Sequence, residues 1–381
     1  MRRRRLRTRA EFNPLAALAR MIPRLCLLLL VLLPVAELVA GIVLPRIPEP
    51  RPNASSTLSD QQISQLYGVE DAGPVREMLG EMRDLGDAGY WPLVEYRMKP
   101  FSGKHVTVGP DGWRMVPRVE GEGAKVFVFG GSAVFGTGNA DGQTIPAYLD
   151  TLLLEAGKSA RVFNFGVPGW ISTQERIALE QMVVAGNKPD LAIFIDGFED
   201  LRRCDGSDRT AFSEQLAATE AKPSLATMVA HSALAKLAGR LRSPPAKGLL
   251  PLVCTHDSEV ERALARLEVN RRMILAMADR LGFKVLFVQQ PVPTFAYDNA
   301  KRLVPVSPTE MAPLVGVAKG YSRLAEARAA GRPTEPETLW LAELEPATGN
   351  AYVDIVDYSP SFNRAIAETV VRHVLDKSLL P

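Results

Sequence analysis

Histidine and cysteine are scarce in this chain, four and three of 381 residues, and its charges nearly cancel: 45 lysines and arginines stand against 43 aspartates and glutamates, a formal net charge of +2. That balance removes any broad electrostatic basis for nucleic-acid binding. The one dense basic cluster, Arg2, Arg3, Arg4, Arg5, Arg7 and Arg9, lies at the extreme N-terminus, outside any folded region. Of the cysteines, Cys26 falls in an apolar run, and Cys204 and Cys254 in the body of the chain. An oxidising compartment permits a disulfide between the latter two; two buried thiols are the alternative. No internal repeat and no coiled-coil heptad is present. A composition 46% hydrophobic and 23% charged excludes disorder over most of the length and fits one large domain or two ordinary ones.

The longest apolar run, Leu25 to Leu44, is interrupted only by Glu37 and has about the 20 residues needed to cross a bilayer core. Arginines stay on the cytoplasmic side, so the body is expected to be extracytoplasmic, periplasmic if the source is bacterial. A cleaved signal peptide is the rival reading, but the run is long for one and the small-residue cleavage pattern is poor. Glu37 at mid-span is costly, and a protonated acid near a helix interface is the expected solution. The layout is then a cytoplasmic basic tail over 1–23, a transmembrane anchor over 24–44, and a linker over 45–56 carrying Pro45, Pro48, Pro50 and Pro52, extended by its composition. An N-terminal extension spans 57–122, with a small hairpin turning at Gly109-Pro110-Asp111-Gly112 between 106–108 and 113–116. The main domain spans 123–381, with insertions at about 201–257 and 291–350.

Within that domain, short apolar strands alternate with capped helical stretches. Val126 to Phe129, Val162 to Phe165, Leu191 to Ile195 and Val285 to Gln289 read as strands buried on both faces. Thr144 and Pro146 open a helix ending near Gly157. Ser172 with Glu175, and Ser258 with Glu261, have capping-box spacing for helices ending at Gly186 and Gly282. The last helix begins at Ser359-Pro360. This alternation predicts right-handed βαβ units: a three-layer α/β/α sandwich with a mainly parallel central sheet, preceded by one N-terminal transmembrane helix.

Reactive groups in such sheets collect beyond the carboxyl ends of the strands. Four segments there are informative. Phe129-Gly130-Gly131-Ser132 runs a strand into glycines and then a serine, leaving the hydroxyl exposed and its amide aimed where an oxyanion would form. Asn164-Phe165-Gly166-Val167-Pro168-Gly169-Trp170 follows the second strand. Asp196-Gly197-Phe198-Glu199-Asp200 is a carboxylate-dense loop after the third. Tyr352-Val353-Asp354-Ile355-Val356-Asp357-Tyr358-Ser359-Pro360 leads into the final helix.

In this order and at these positions the four segments resemble the consensus blocks of the SGNH/GDSL hydrolases, over about 124–200 and 258–375. The resemblance implies an SGNH hydrolase-like fold with Ser132 as nucleophile and oxyanion amide, Gly169 as a second oxyanion amide, Gly131 and Asp200 beside the pocket, and Asp354 as the aspartate of an Asp-x-x-His block. Two positions depart from the family pattern: Glu199 stands where an asparagine donates to the oxyanion, and Asp357 where the histidine base belongs.

A glutamate there accepts rather than donates, and losing one oxyanion donor costs about a hundred- to a thousandfold in rate. An unperturbed aspartate, at ~3.9 against ~6.5 for histidine, is a poor general base unless burial or repulsion from Asp354 raises it. Among the histidines, His373 reads as a helix-end cation, and His105 belongs to the early hairpin. His231 and His256 lie in the first insertion, where His256, near Cys254 and Asp257, is the one whose position leaves a replacement role open. The carboxylates Asp196, Glu199, Asp200, Asp354 and Asp357 raise a hard-cation site as an alternative, although their spacing matches no metal-loop template; Asp200 and Asp354 also have the structural explanation of loop-capping acids.

Two functions follow. One is a membrane-anchored ester hydrolase or O-acyl transferase acting on an acylated cell-envelope carbohydrate or lipid through a serine acyl intermediate. The other is a pseudoenzyme of the same fold that binds an acylated glycan or a protein partner. No cofactor is implied; the expected partners are that acylated ligand and the membrane, with no nucleic acid.

Overall fold

The computed structural model describes residues 30–43, 58–86, 88–118, 122–202, 232–235, 256–304, 306–331, 338–344 and 350–381. The chain divides into two compact units, Met1–Pro52 with Ala217–Gly248, and Asn53–Leu216 with Leu249–Pro381.

In the first unit, α1 is a helix over 30–43 with outward apolar side chains such as Leu30 and Leu38. Glu37 has partners in this run: its carboxylate accepts the backbone N–H groups of Ala233 and, at 3.0 Å, Leu234, donors that a helix start leaves unpaired. Among the described residues no helix is long and apolar enough to cross a membrane. The expected 24–44 span extends past α1 at both ends, outside the described residues, where the 45–56 linker, Cys26, Cys204, Cys254 and His231 also lie.

The second unit opens with α2 (Asp60–Tyr67) and α3 (Gly73–Asp84), then two antiparallel ribbons, β1 (Gly89–Trp91) with β2 (Glu95–Arg97) and β3 (Phe101–Ser102) with β4 (Thr107–Val108). Next come β5 (Ala124–Gly130), α4 (Ser132–Phe135), α5 (Ile145–Glu155), β6 (Ala160–Gly166), α6 (Ser172–Val184), β7 (Leu191–Asp196) and α7 (Phe198–Arg202). The chain closes with α8 (Asp257–Leu281), β8 (Lys284–Gln289), α9 (Val315–Ala329), β9 (Thr338–Trp340) and α10 (Pro360–Asp376). Strands β5 to β9 form one sheet in the order β6-β5-β7-β8-β9, every pairing parallel.

Period-two alternation sorts the strand residues into two cores. Val126 and Val128, Ile193 and Ile195, and Leu286 and Val288 pack with Leu149 and Leu153 of α5 and Ile366 and Val370 of α10. Phe127 and Phe129, Phe194 and Phe287 pack on the other face with Leu179 of α6 and Ile274 of α8. Helices cover both faces, which is why the strands read as unbroken apolar runs. The second face is a ladder of rings: Phe127–Phe165 and Phe129–Phe194 at 4.8 Å, and Phe194–Phe287 at 5.6 Å, distances at which aromatic pairs attract.

Three sequence expectations need correction. At α6 the N-cap is Ile171, whose N–H goes to Gln174 Oε1 at 3.0 Å, while Ser172 is helical and donates its N–H and hydroxyl to Asp200 at 3.1 and 2.7 Å. A buried carboxylate is a stronger acceptor at a helix start than a serine hydroxyl, so Glu175 is not the capping partner. Helix α8 begins at Asp257, before Ser258, with Glu259 Oε2 accepting His256 N–H at 3.1 Å. The second insertion contributes β9, a fifth strand too short to show a period. The Gly109–Gly112 turn closes a short antiparallel hairpin, with Gly112 N–H to Gly109 O at 3.0 Å, Gly109 N–H to Trp113 O at 2.9 Å and Met115 N–H to Thr107 O at 3.0 Å around the Val108–Arg114 bridge, while Thr107–Val108 pairs on its other edge with Phe101–Ser102. The buried Arg114 guanidinium binds Asp141 at 2.6 Å and the carbonyl of Asn139 at 2.8 Å, pinning that segment to the main domain.

Candidate active site

The serine turn is built by two glycines in register. Gly130 of β5 pairs with Gly166 of β6; a Cβ on Gly166 would meet Phe135 N at 2.3 Å, and one on Gly130 would meet Val134 Cγ2 at 2.4 Å. Without those side chains, α4 lies directly over the strand ends, with Ser132 its first residue. The Ser132 amide is one of the donors that a helix start leaves free of intrahelical partners.

The loop after β6 brings Gly169, at φ +82°, under the N-terminal extension. Tyr96 of β2 donates its hydroxyl to Pro168 O at 3.0 Å, and Trp170 Nε1 donates to Tyr96 O at 3.0 Å. Trp170 is fully buried, packed edge-on against Trp113 at 5.6 Å. The backbone around Gly169 is thus fixed from both sides.

After β7, the two carboxylates of α7 diverge. Glu199 lies over the serine turn, its Cγ 3.0 Å from where a Cβ on Gly131 would stand, and its Oε2 pairs with Arg202 Nε at 3.0 Å. Asp200 faces inward, holding Ser172 and lying 3.8 Å from Arg266 Nε, so it organises the start of α6. Beneath them Asp196 is buried 3.9 Å from Arg271, with neither carboxyl oxygen in a well-formed hydrogen bond. Burial pushes its acid up to about 6 against the pull of Arg271, and burial with Asp196 nearby pushes the fully enclosed Glu175 well above the carboxylate range.

The fourth segment is a tight turn. Asp354 Oδ1 accepts the amides of Val356 and Asp357 at 2.9 and 2.8 Å. Arg302, stacked on Tyr352 with its guanidinium carbon 4.5 Å from the ring centroid, donates to Asp354 O and Ile355 O at 2.7 and 2.8 Å. This turn aims Asp357 at the serine. Burial first, then the Asp354 carboxylate, raise the Asp357 acid well above its ordinary range. The Ser132 hydroxyl opposes that rise as a nearby donor, although no well-formed hydrogen bond joins the two, and Glu199 adds to it. Asp357 Oδ1 is buried without a partner.

Ser132, Glu199, Asp354 and Asp357 thus come together, with Gly131 beneath Glu199; Asp200 turns away. The three described histidines have other places: His105 lies 3.1 Å from Glu77, His256 occupies the N-cap of α8, and His373 sits in the last turn of α10. Among the described residues no group of three or more His, Cys, Asp or Glu side chains is arranged to hold a metal ion. Three further residues belong to the site. Arg202 is legible in sequence as the i+3 partner of Glu199, whereas Arg302, from the second insertion, carries no local signal. Tyr67 of α2 donates to Gly138 O at 2.8 Å, and burial together with Asp354 and Asp357 raises its phenol above its ordinary range.

Sequence comparison matches the chain to no protein family and to no curated protein. Solved structures similar to it include a lipolytic protein of the G-D-S-L family from Desulfitobacterium hafniense, with 14% identity over 65% of this chain and 98% of that one at a TM-score of 0.34. A lipase/acylhydrolase from Enterococcus faecalis has 15% identity over 67% and 96%, TM-score 0.36. An acetyl-xylooligosaccharide esterase from a Geobacillus has 17% identity over 67% and 95%, TM-score 0.36. At these identities and scores none of those activities transfers to this chain.

Proposed function

We propose that the chain is a membrane-anchored protein of SGNH/GDSL type whose extracytoplasmic domain hydrolyses or transfers an acyl ester of a cell-envelope carbohydrate or lipid, with Ser132 as nucleophile and Asp357 as its base. The observation that carries this is the desolvated Asp357 carboxyl beside the Ser132 hydroxyl, with its acid raised well above the ordinary range. An ordinary aspartate is too weak a base for a serine, and a raised one is better matched. Ser132 Oγ attacks the ester carbonyl while its proton passes to Asp357, and the amides of Ser132 and Gly169 receive the oxyanion. Collapse breaks the ester C–O bond, the departing alkoxide takes the proton from Asp357, and water or an acceptor hydroxyl then releases the acyl group from Ser132. Support for the anchor comes from the Leu25 to Leu44 run and the arginines before it.

A second reading is favoured by the Glu199–Arg202 ion pair, which puts an acceptor where an oxyanion donor is needed; the pocket then binds an acylated glycan or a protein partner without turnover. The full-length protein and its Ser132→Ala variant, treated with a fluorophosphonate probe and a p-nitrophenyl ester from pH ~5 to ~9, a range that ionises shifted carboxyls, separate the two. Labelling confined to Ser132, with hydrolysis rising toward alkaline pH as Asp357 loses its proton, supports the enzyme. Silence across the range removes it and leaves the binding role.

A further inference from the structure

Gly169 occupies the third position of a four-residue turn. Trp170 N–H closes that turn on Val167 O at 3.1 Å, Pro168 holds the second position with its φ fixed by the ring, and Gly169 has φ +82°. Those are the marks of a type II turn, which differs from type I by about half a rotation of the central peptide, here Pro168–Gly169. The carbonyl and N–H of a trans peptide point opposite ways, so whatever holds Pro168 O decides where the Gly169 N–H is aimed. Tyr96 holds it, its hydroxyl donating to Pro168 O at 3.0 Å. A Cβ at 169 would stand 2.9 Å from the same hydroxyl, so the contact also requires the glycine. The turn lies against the serine segment, with Val167 N–H on Gly130 O at 3.0 Å and Trp170 O 3.7 Å from where a Cβ on Gly131 would stand. Among the described residues no acceptor is paired with the Gly169 N–H.

A costly stretch of backbone places Tyr96. Leu93 and Glu95, neither of them glycine, both have left-handed φ values, +69° and +68°, and Tyr96 N–H closes a three-residue turn on Val94 O at 2.8 Å. The form of that turn with a positive φ at its centre is rare and strained, and such strain persists only where the surroundings over-determine it. Here Gln181 of α6 donates to Pro92 O at 3.1 Å and accepts from Arg97 at 3.3 Å. The Arg97 guanidinium lies between Trp91 and Trp113, at 4.4 and 4.0 Å from their rings, and Trp170 Nε1 donates to Tyr96 O at 3.0 Å. On the premise that Gly169 serves Ser132 as proposed above, we infer that Tyr96 is a positioning residue: its hydroxyl locks the Pro168–Gly169 peptide so that the Gly169 N–H turns away from the N-terminal extension and toward the reacting oxygen. The extension then acts on the reaction through one hydrogen bond.

Tyr96→Phe removes the hydroxyl and keeps the ring, so the full-length variant should melt within about four degrees of wild type. Its kcat on a p-nitrophenyl ester should fall about three- to tenfold with KM unchanged, the size of one neutral hydrogen bond felt in the transition state. A role confined to stability would leave kcat of the folded variant at the wild-type value. A second measurement needs no turnover. Pro168–Gly169 is the one Pro-Gly step in the chain, so protein isotope-labelled at the proline carbonyl carbon and the glycine nitrogen has one doubly labelled peptide, and a carbonyl-filtered NMR spectrum shows the Gly169 N–H alone. That signal should be single and sharp in wild type, and should broaden or split in Tyr96→Phe as the peptide samples both orientations. A wild type that hydrolyses nothing sinks the hydrolytic reading and leaves the Gly169 signal to decide this one. A signal that stays single, sharp and unshifted in the variant, a broadened signal in wild type, an unchanged kcat in an active enzyme, or a loss confined to KM overturns the inference.

Discussion

Replacing Asp196 with asparagine should stabilise the protein near pH ~8 and do nothing of the kind near pH ~4. Asp196 ends β7 with its carboxyl enclosed by Glu175, Asp200 and Arg271, and its acid sits at about 6 against ~3.9 for a free aspartate. At about 1.4 kcal/mol per tenfold change in proton affinity, that difference corresponds to about 3 kcal/mol. The value already includes the opposing pull of Arg271, so it is net of the ion pair. Because the folded acid is raised, its contribution to stability is whole below the unfolded value of ~3.9 and is lost as pH rises through about 6. An asparagine has no proton to lose and escapes the penalty. Arg271 keeps Gln289 Oε1 at 3.4 Å and Thr338 Oγ1 at 3.3 Å in the variant. Glu175 beside it is itself raised, first by burial and then by Asp196, so the Glu175→Gln, Asp196→Asn double variant should flatten the profile further. The assay is urea unfolding followed by tryptophan fluorescence, plotted as variant minus wild type against pH. The subtraction cancels the lowered carboxyls Glu77, Glu81, Asp257 and Glu310, which act in the opposite sense. A difference curve rising by about 2–3 kcal/mol between pH ~4 and ~7 is expected; a flat or falling curve refutes the buried-pair account.

Gly197→Ala should be severely destabilising, by about 3 kcal/mol or more, because the position has φ +126° and a Cβ there would stand 2.0 Å from Gln289 Nε2 and 2.4 Å from Tyr321 Oη; a thermal melt within a degree or two of wild type would show that the β7 turn yields easily. Asp357→His should reset the midpoint of any Ser132-dependent ester hydrolysis to near the ~6.5 of an ordinary imidazole, and adding Glu199→Asn should raise the plateau; an unchanged midpoint would remove Asp357 as the base.

The central strands were legible in the sequence because burial on both faces leaves an unbroken apolar run, and the Val–Phe alternation within β5 even separates the two cores. What stayed hidden depends on residues distant along the chain. The α6 capping box was misread because Asp200, 28 residues downstream, arrives as a better acceptor than Ser172 itself. Strand β9 has three residues, and only its partner β8 makes it a strand. Beyond the Gly109–Gly112 turn, no local pattern announces that the Arg114 side chain reaches Asp141 and Asn139.

At the site, position and consequence separate in the same way. Ser132, Gly169, Glu199, Asp354 and Asp357 were each legible as the residue after a strand or before the final helix. The proton affinity of Asp357 was legible only in its repulsion from Asp354 three residues earlier; the larger cause, burial, and the approach of Ser132 and Glu199 come from other stretches of chain, which its sequence neighbours do not report. Asp354 shows the converse: its Oδ1 satisfies amides two and three residues on, a local Asx pattern that the spacing alone allows. Taken singly, Glu199 and Asp357 each remove a donor from an ester site. Taken with their surroundings they are met differently: Arg202 pairs with Glu199 at 3.0 Å, whereas Asp357 is enclosed and its acid rises well above the ordinary range.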